Sequence, residues 1–567
     1  MTDLIASAQE WIRGDPDPST REELQALIDS DDIGALASRL DGELTFGTAG
    51  IRGKVGAGTN RMNRAVVIRT TAGLASYLAA SGSPANEPVV VGFDARPTSR
   101  TFAEDTAGVL AGSGRRVIFF PEYAPTPLVA FAVKNLGTVA AVVVTASHNP
   151  PADNGYKVYS SNGAQIIPPT DSEISLAIAN IGSAADVPRI EDVFSGTSTL
   201  VTPAPEELVD QYWRAVELSR PDPHPSNMKV VYTPIHGVGG ELLRTVFERG
   251  GHTGLIEVPE QASPDGTFPT VSFPNPEEPG ALDLAIELGT RVDADLIVAN
   301  DPDADRFAAV VPNNGKWRPL SGNELGVLLG DYVLRHWSGP RKAIVINSIV
   351  SSPMLGRIAK IHRARHEVTL TGFKWIVNAG LALETAGKGV FAFGYEEALG
   401  YTIGSTVRDK DGISTALIFC DLFAGLREKG LTVLDRLAEL WGEVGVWASA
   451  QHSLVGQGVD GQAAIQDAVR LLADNPPDAV GDTEIAGVID YRADAQDRPF
   501  WLGEQALVEL SLGTRGRILV RPSGTEPKLK IYVDLTEPAG DSPHAQHQDL
   551  ERTAVEIASS MAGHFQV

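Results

Sequence analysis

Short apolar runs of strand length alternate with amphipathic segments along most of this chain. The runs EPVVVGFD, RRVIFF and TVAAVVV are rich in β-branched and aromatic residues, and TAGLASYLAA and FAEDTAGVLAGSG lie between them. Continuous apolar runs that alternate with helical patterns are typical of α/β units. We therefore expect an α/β protein in which most strands pair in parallel.

The length and the changes of pattern predict three or four domains. The chain has 567 residues, and about 150 residues is a common domain size. Residues 1–40 are expected to be helical and peripheral, and the Pro-, Ser- and Thr-rich residues near 194–207 are expected to form a linker. After Val446, strands followed by an amphipathic helix predict a small α+β domain.

Composition limits the partners and the compartment. Acidic residues outnumber basic ones by 72 to 47, for a formal net charge of −25, which argues against nucleic acid and anionic membranes as partners. The single cysteine, Cys420, excludes an intramolecular disulfide. The N-terminus lacks the pattern of a secretory signal, and no apolar run approaches the roughly 20 residues of a membrane span. We expect a soluble cytoplasmic protein.

Four apolar strands run directly into polar loops. AAVVV precedes TASHNP, DLIVA precedes NDPDADR, GVFAF precedes GYEEALGY, and RILV precedes RPSGTEPK. Ligands of α/β folds bind beyond the carboxyl ends of strands. We therefore expect the four loops to line one cleft.

The loop NDPDADR, residues 300–306, predicts a metal site. Asp301, Asp303 and Asp305 are close enough to repel one another unless a cation lies among them, and their hard oxygen ligands favour magnesium, manganese or calcium over zinc. An EF-hand is excluded because Arg306 and Pro312 stand where it needs glycine and glutamate. Pro302 is expected to keep the loop extended.

The loop RPSGTEPKLKIY, residues 521–532, has the composition of a phosphate site. Ser523, Gly524 and Thr525 supply hydroxyl groups and a backbone that phosphate oxygens can approach, and Arg521 can bind phosphate through two hydrogen bonds. It contains no Walker sequence, and a structural Ser-Gly turn remains an alternative.

Two glycine-bounded loops carry weaker signals. GYEEALGY presents Glu396 and Glu397, whose carboxylates can accept hydrogen bonds from sugar hydroxyls, although a charged surface turn is the alternative. FGTAGIRGKVGAG carries Arg52 and Lys54 and could approach an anion closely, or could be a flexible entry segment.

The stretch TASHNPPADNGYK places Ser147 and His148 just past a strand, with Lys157 ten residues after the serine. A serine hydrolase of the α/β class would carry GxSxG, which is absent here. A serine that lies near a divalent metal and several positively charged side chains instead indicates phosphoryl transfer as the reaction.

TASHNP with NGYK, DPDADR, GYEEALGY and RPSGTEP, in this order, resemble the α-D-phosphohexomutase superfamily, from about Thr45 onward. FGTAGIRG, GYEEALGY and VRDKDG resemble most its phosphoglucomutase–phosphopentomutase branch. The resemblance implies three related α/β domains and a C-terminal α+β domain of the TATA-binding-protein-like class around a central cleft. The corresponding ranges are residues 1–205, 206–320, 321–450 and 451–567.

The resemblance also implies a role for each site residue. Ser147 is the phosphorylated serine, and Asp301, Asp303 and Asp305 bind one Mg²⁺ together with a phosphoserine oxygen. The other catalytic positions are Arg52, His148, Lys157 and Arg306, with His148 and Lys157 as candidates for proton transfer. The substrate-binding positions are Thr371, Lys374, Glu396, Glu397, Lys410, Arg521, Ser523, Gly524, Thr525 and Lys530.

The implied reaction interconverts glucose 1-phosphate and glucose 6-phosphate. Phosphorylated Ser147 donates its phosphoryl group to the sugar phosphate, and glucose 1,6-bisphosphate, the intermediate and activator, reorients and returns its other phosphate. Ala398 stands where glucose and mannose enzymes of the superfamily carry a serine, which leaves the hexose specificity open. Glucose, mannose, glucosamine and pentose phosphates all remain candidate substrates.

Three other classes also remain open at this stage. They are a phosphatase with an aspartyl nucleophile, a glucose-1,6-bisphosphate synthase of the same fold, and a non-catalytic sugar-phosphate binding protein. The sequence predicts neither the oligomeric state nor the role of residues 1–40.

Overall fold

The computed structural model describes residues 2–47, 50–194, 198–456, 458–523 and 528–565. The chain divides into two compact units. The first comprises Met1–Leu320 and Gly404–Ile418, and the second comprises Ser321–Ile403 and Phe419–Val567. Within the described ranges, no helix combines the length and the apolar character that crossing a bilayer requires.

The first unit contains ten α-helices and eleven strands among its described residues. The helices are α1 (Thr2–Gly14), α2 (Pro18–Asp29), α3 (Ile33–Leu40), α4 (Arg64–Ala80), α5 (Ser99–Gly112), α6 (Thr126–Asn135), α7 (Thr170–Ala179), α8 (Leu208–Ser219), α9 (Gly240–Gly250) and α10 (Asp283–Val292). The strands are β1 (Ile51–Lys54), β2 (Val89–Phe93), β3 (Val117–Phe119), β4 (Ala140–Val144), β5 (Asp153–Ser160), β6 (Val201–Pro203), β7 (Val230–Thr233), β8 (Leu255–Glu257), β9 (Leu296–Ala299), β10 (Ala308–Asn313) and β11 (Lys316–Pro319).

Two sheets organise the first unit, in the orders β1-β5-β4-β2-β3-β6 and β11-β10-β9-β7-β8. In the first sheet β2 pairs in parallel with β3 and β4, and in the second β7 pairs in parallel with β8 and β9. Strands β2 and β4 are buried along their whole length, as expected for parallel strands covered on both faces. The predicted α/β class is therefore confirmed for this unit.

Residues 1–40 form three helices, as predicted, and they support the glycine-rich loop that follows β1. Ala57 of that loop is fully buried with Leu24 and Leu36 of the helices. The carboxylate of Glu23 accepts the Ala57 N–H at 2.9 Å and the Arg39 Nε–H at 2.9 Å. The N-terminal segment thus holds the loop next to the strand that carries Arg52.

The prediction of a linker near residues 194–207 is wrong for one segment. Val201–Pro203 does not belong to a linker but forms β6, the edge strand that pairs in parallel with β3. Three residues are too few to produce a recognisable strand pattern, so the Pro- and Thr-rich composition dominated the prediction.

The second unit contains seven α-helices and eleven strands among its described residues. The helices are α11 (Gly322–Arg335), α12 (Met354–Ile361), α13 (Phe373–Thr385), α14 (Gly412–Glu428, which begins among first-unit residues), α15 (Val433–Val444), α16 (Gly458–Asp474) and α17 (Pro543–Ala562). The strands are β12 (Ala343–Ser348), β13 (Arg365–Thr369), β14 (Val390–Glu396), β15 (Gly400–Ile403), β16 (Val446–Val455), β17 (Ala479–Val480), β18 (Thr483–Glu484), β19 (Gly487–Asp490), β20 (Val508–Ser511), β21 (Gly516–Pro522) and β22 (Lys528–Glu537).

The second unit contains a mixed sheet and an antiparallel sheet. The mixed sheet has the order β13-β12-β14-β15, with β12 parallel to β13 and β14. The antiparallel sheet has the order β16-β22-β21-β20-β19, and α17 packs on β16 and β22. The predicted small C-terminal α+β domain is therefore confirmed.

Candidate active site

Ser147 lies just beyond the carboxyl end of β4, in the left-handed region of backbone conformation with a φ of 52°. Ser147 is buried, with 3% of its surface exposed. For a residue with a side chain this conformation costs about 1–2 kcal/mol, so neighbouring contacts must hold it. One of them is the Thr145 hydroxyl, which accepts the Ser147 N–H at 2.8 Å. Strain of this kind is typical of functional sites.

The hydroxyl of Ser147 contacts a carboxylate and an imidazole. Oγ donates to Asp301 Oδ2 at 2.7 Å and lies 3.1 Å from His148 Nδ1. Asp301 Oδ1 accepts the Arg306 N–H at 2.9 Å. The fold therefore brings the predicted reactive serine against the first aspartate of the predicted metal loop.

The three aspartates follow β9 and are fully buried. One carboxylate oxygen from each can be chosen so that all three lie within 4.8 Å of one another. The loop is not extended, contrary to the expectation from Pro302, because it closes as a turn in which Ala304 N–H donates to Asp301 O at 2.8 Å. Alternate residues of an extended strand also share one face, but they are spaced about 6.6 Å apart along it. The turn instead brings the three carboxylates close together.

Two ammonium groups lie against these carboxylates. Lys157 Nζ donates to Asp303 Oδ2 at 2.6 Å and to Asp305 Oδ2 at 2.9 Å, and Lys410 Nζ lies 3.3 Å from Asp305 Oδ2. Burial alone would raise the pKa of Asp303 and Asp305, but the charge of Lys157 lowers both pKa values. Burial would likewise lower the pKa of Lys157, but the two carboxylates raise it.

Burial, together with Asp303 and Asp305, raises the pKa of Asp301 well above its usual value. The carboxylate next to Ser147 is thus the one whose negative charge is least compensated by the protein. A cation bound at the triad would favour its ionised form.

The triad has free acceptors that suit a divalent cation. Among the described residues, the buried atoms Asp303 Oδ1 and Asp305 Oδ1 have no hydrogen-bond partner. Buried carboxylate oxygens without a partner are costly, and oxygen donors of this kind are the ligands that Mg²⁺ prefers. The residues therefore fit the magnesium ion that the resemblance implies.

The remaining predicted catalytic residues lie near the serine loop or the aspartate loop. Arg52, on β1, donates from Nη1 to Asn149 Oδ1 at 3.0 Å, and Arg306 Nη1 lies 3.8 Å from Glu277 Oε2. Burial, with Arg306 and Arg52 nearby, holds the pKa of His148 well below its usual value. The imidazole is therefore neutral near pH 7.

Residues that the sequence reasoning missed orient these groups. Thr126 Oγ1 donates to Asp303 Oδ2 at 2.7 Å, and its N–H donates to the Asp303 carbonyl at 2.9 Å. Asp409 accepts the Tyr159 hydroxyl at 2.7 Å and the N–H of Lys410 at 2.8 Å. Asp409 stands in the VRDKDG motif beside Lys410, a signal that could have identified it; Thr126 has none.

The predicted sugar loop and its neighbour lie in the second unit. Glu396, at the end of β14, accepts the Gly372 N–H at 2.7 Å on Oε1. Glu397 Oε2 lies 3.1 Å from the hydroxyl oxygens of Ser348 and Ser351, which donate to it. Glu396 is thus tied to the TGFKW loop, while Glu397 is tied to the loop after β12.

The TGFKW loop itself is held from the C-terminal part of the second unit. Thr371 Oγ1 accepts Gln505 Nε2–H at 2.6 Å, and the Leu370 N–H donates to the Trp501 carbonyl at 2.8 Å. Lys374 lies in the first turn of α13 and is half-buried. The predicted substrate roles of Thr371 and Lys374 stay predictions.

The predicted phosphate loop is described in part. Arg521, near the end of β21, donates from Nη2 to the Tyr532 hydroxyl at 3.1 Å, and Lys530 is its cross-strand partner on β22. The Ser523 N–H donates to the Lys528 carbonyl at 2.7 Å. Gly524 and Thr525 lie outside the described residues. The phosphate-binding role of this loop stays a prediction.

Sequence comparison finds all four domains of one family along the chain. Phosphoglucomutase/phosphomannomutase α/β/α domains I, II and III match residues 43–185, 207–315 and 321–444, and the C-terminal domain of the same family matches residues 468–540.

Individual relatives are similar over most of their length. The chain is 40% identical over 481 residues to a Haemophilus influenzae protein described as a probable phosphomannomutase, covering 83% of this chain and 93% of that protein. It is 37% identical to the phosphoribomutase of Saccharomyces cerevisiae, covering 94% and 93%. It is 35% identical to the phosphoglucomutase of Staphylococcus haemolyticus, covering 87% and 90%.

The fold also resembles solved structures. The open form of the Paramecium phosphoprotein parafusin, a phosphoglucomutase, matches with a TM-score of 0.68 at 16% identity, covering 92% of this chain and 96% of that chain. This match concerns the fold alone. The four matched domains and the full-length relatives show that the chain belongs to the phosphoglucomutase/phosphomannomutase family of the α-D-phosphohexomutase superfamily, whose members are mutases.

Proposed function

We propose that the chain is a phosphoserine-dependent mutase that interconverts glucose 1-phosphate and glucose 6-phosphate through bound glucose 1,6-bisphosphate. The observation that carries the proposal is the 2.7 Å contact of Ser147 Oγ with Asp301 inside a buried triad of carboxylates. Phosphoryl transfer depends mainly on positioning and on neutralising charge. A strained serine beside a cation site supplies both.

The proposal assigns the cation site to Mg²⁺. Asp301, Asp303 and Asp305 would hold the ion together with an oxygen of phosphorylated Ser147, and it would neutralise charge on the phosphoryl oxygens. A phosphoserine carries a charge of about −1.5 to −2 near pH 7. Lys157 and Lys410, already at the triad, would offset the surplus negative charge.

The transfer step exchanges one P–O bond for another. A sugar hydroxyl oxygen bonds to phosphorus, the bond from phosphorus to Ser147 Oγ breaks, and the hydroxyl proton passes to a base. Among the two predicted candidates we favour His148, because its low pKa leaves the imidazole neutral. Lys157 stays protonated between two carboxylates and therefore supplies charge.

The reverse transfer uses the same residues after the bisphosphate has reoriented. The second phosphate is transferred to Ser147 Oγ, whose hydrogen bond to Asp301 provides a route for its proton. Arg52 and Arg306 would bind the phosphoryl group that is transferred.

We assign the remaining predicted residues to substrate binding. Thr371, Lys374, Glu396 and Glu397 would contact the sugar, and the distal phosphate would be bound by Arg521, Ser523, Gly524, Thr525 and Lys530. In the same proposal the four domains span residues 1–205, 206–320, 321–450 and 451–567.

The experiment is steady-state mutase turnover of purified wild type, S147A and the matched variant S160A, with glucose 1,6-bisphosphate present. Ser160 ends β5, the strand that carries Lys157. S147A should lose turnover while its thermal unfolding stays close to that of wild type, and S160A should keep turnover. Mass spectrometry after incubation with the bisphosphate should find phosphate on Ser147. Normal turnover in S147A refutes the proposal.

Removing the metal tests the proposed Mg²⁺ site at the three aspartates. EDTA should suppress turnover and Mg²⁺ should restore it, whereas metal-independent turnover would contradict the assignment of the triad.

The same enzyme preparation separates the other enzyme classes, because a phosphatase would release inorganic phosphate continuously. A synthase supplied with 1,3-bisphosphoglycerate would release free glucose 1,6-bisphosphate.

A pentose phosphate is the second candidate substrate. Ala398 removes a hydroxyl from the sugar loop, and one of the full-length relatives is a phosphoribomutase. Comparing kcat/KM for glucose 1-phosphate, mannose 1-phosphate and ribose 1-phosphate decides between them. A higher kcat/KM for ribose 1-phosphate than for glucose 1-phosphate would replace the first proposal by the second.

A further inference from the structure

Arg96 binds the loop of the reactive serine through four backbone carbonyls. It follows β2 and is 3% exposed. Its Nη1 donates to the carbonyl oxygens of Pro150 at 2.7 Å and Asp153 at 2.8 Å, and its Nη2 donates to those of Ser147 at 2.8 Å and Asn149 at 2.6 Å. One side chain thus spans the loop from the serine to the start of β5.

Asp94 connects Arg96 to the other side of the serine. Its Oδ1 accepts the Arg96 N–H at 3.0 Å, and its Oδ2 lies 3.3 Å from Arg96 Nε. Oδ2 also accepts the Thr145 hydroxyl at 2.6 Å, and Thr145 in turn accepts the Ser147 N–H. The N–H of Ser147 is therefore held through Thr145 and Asp94, and its carbonyl directly through Arg96.

Arg96 also contacts the loop between β8 and α10. The Phe268 ring centroid lies 5.1 Å from the guanidinium carbon. A β-carbon at Gly266 would lie 2.3 Å from Arg96 Cα, so only glycine fits there. The backbone of Arg96 is therefore in close contact with this loop, and its guanidinium packs against the Phe268 ring.

We propose that Arg96 is a positioning residue that keeps Ser147 in its left-handed conformation, so that Oγ stays directed at Asp301 and the predicted metal site. This rests on the proposed function for its effect on turnover. A guanidinium suits the task because it offers five donors in one plane, whereas a lysine ammonium has three donors on a single atom. The acceptors are carbonyls, so the interaction does not depend on which side chains the loop carries.

Arg115 provides a matched control in the same domain. It is 4% exposed and also binds backbone carbonyls, those of Pro84 and Glu87 from Nη1 and that of Ser83 from Nη2. These belong to the loop before β2 and not to the serine loop. Losing either arginine removes a buried guanidinium and its carbonyl contacts, but only Arg96 contacts the serine loop.

The experiment compares R96M and R115M by hydrogen exchange and by steady-state kinetics. In R96M, amide exchange in the peptide 145–155 should accelerate, and kcat should fall by about 100-fold or more, the scale expected when a reactive group is misplaced by roughly 1 Å. KM for the sugar phosphate should change less than threefold, because ground-state binding of the substrate uses other residues. R115M should lose thermal stability, while exchange in 145–155 and kcat per folded enzyme stay at wild-type values.

Chemical rescue adds a readout that a purely structural role would not move. In R96A, methylguanidinium at non-denaturing concentration should restore part of kcat with saturation, while R115A gains nothing. R96K should recover less than a tenth of the lost kcat, and it serves in place of R96M if the methionine variant does not fold. Equal loss of kcat in R96M and R115M, or unchanged exchange in 145–155, would overturn the inference. If wild type lacks mutase turnover, the proposed function fails, and the exchange comparison alone then decides the role of Arg96.

Discussion

Replacing Lys157 with methionine tests how the buried carboxylates are compensated when no metal ion is bound. Lys157 is 4% exposed, and its Nζ lies 2.6 Å from Asp303 and 2.9 Å from Asp305. Methionine fills most of the volume of the aliphatic stem but removes the charge. Removing one partner of a buried ion pair costs about 3–5 kcal/mol. Here two carboxylates lose Lys157, although Asp303 keeps the Thr126 hydroxyl and Asp305 keeps Lys410, so we expect a loss in that range.

Differential scanning calorimetry in EDTA measures this loss. For large domains each kcal/mol shifts the midpoint by about 2–4 °C, so the transition of the first unit should fall by about 6–20 °C. Millimolar Mg²⁺ should then raise the midpoint of K157M more than that of wild type. A ligand that binds the folded state stabilises it more strongly as its affinity rises, and in the variant Lys157 no longer competes for the carboxylates.

Two variants act as controls. K54M removes an exposed lysine from β1 and should change the unfolding free energy by less than about 0.5 kcal/mol. The double variant K157M/D305N also removes the negative charge of Asp305 and should recover part of the lost unfolding free energy. The reasoning is refuted if K157M unfolds within 2 °C of wild type in EDTA, or if Mg²⁺ raises both midpoints equally.

Three further predictions follow from named residues. S147A and S147G should both lack turnover, but S147G should be the more stable by about 0.5–1 kcal/mol, because glycine adopts a φ of 52° without steric cost; a urea titration in which S147A is more stable contradicts this. A398S should raise kcat/KM for glucose 1-phosphate relative to ribose 1-phosphate by about 2–10-fold, the worth of one hydrogen bond, and an unchanged ratio counts against a sugar contact there. D331N should lower the unfolding free energy of the second unit by about 1–3 kcal/mol at pH 7, because Arg436 loses its buried carboxylate partner at 3.0 Å and keeps only Glu439 and Glu443. Burial opposes ionisation of Asp331, but His362 and Arg436 lower its pKa. The stabilisation is therefore present above the ordinary pKa of 3.8 and is lost as the pH falls through the lower folded-state pKa. A stability difference between wild type and D331N that does not shrink in acid contradicts this.

Much of the fold could be predicted because its signals are local. The β-branched runs at β2 and β4 are buried along their whole length, and burial on both faces is what makes such runs continuous. The strand β6 could not be predicted, since three residues carry no period. The turn at Ala304 was not predicted because Pro302 restricts only itself and the residue before it, while the turn depends on a hydrogen bond from Ala304 to Asp301.

The residues of the candidate site differ in how far the sequence could identify them. Ser147 and the aspartates stand in short motifs whose chemistry is visible in the residue types. Arg96 was missed although FDAR follows an apolar strand in the same way as the four polar loops that were recognised. Its partners are backbone carbonyls, which every residue possesses, so the sequence of the serine loop contains no sign of them.

The amino-acid sequence by itself determined the α/β class, the elements and the chemistry available in each loop. These depend on propensity and on burial patterns within a few residues of one another. Only the tertiary structure decided that Ser147 meets Asp301, 154 residues away, that Lys157 lies between Asp303 and Asp305, and that residues 1–40 hold the loop at Ala57. Such contacts depend on the order and register of the strands, which place distant residues at one edge of a sheet and leave no local pattern.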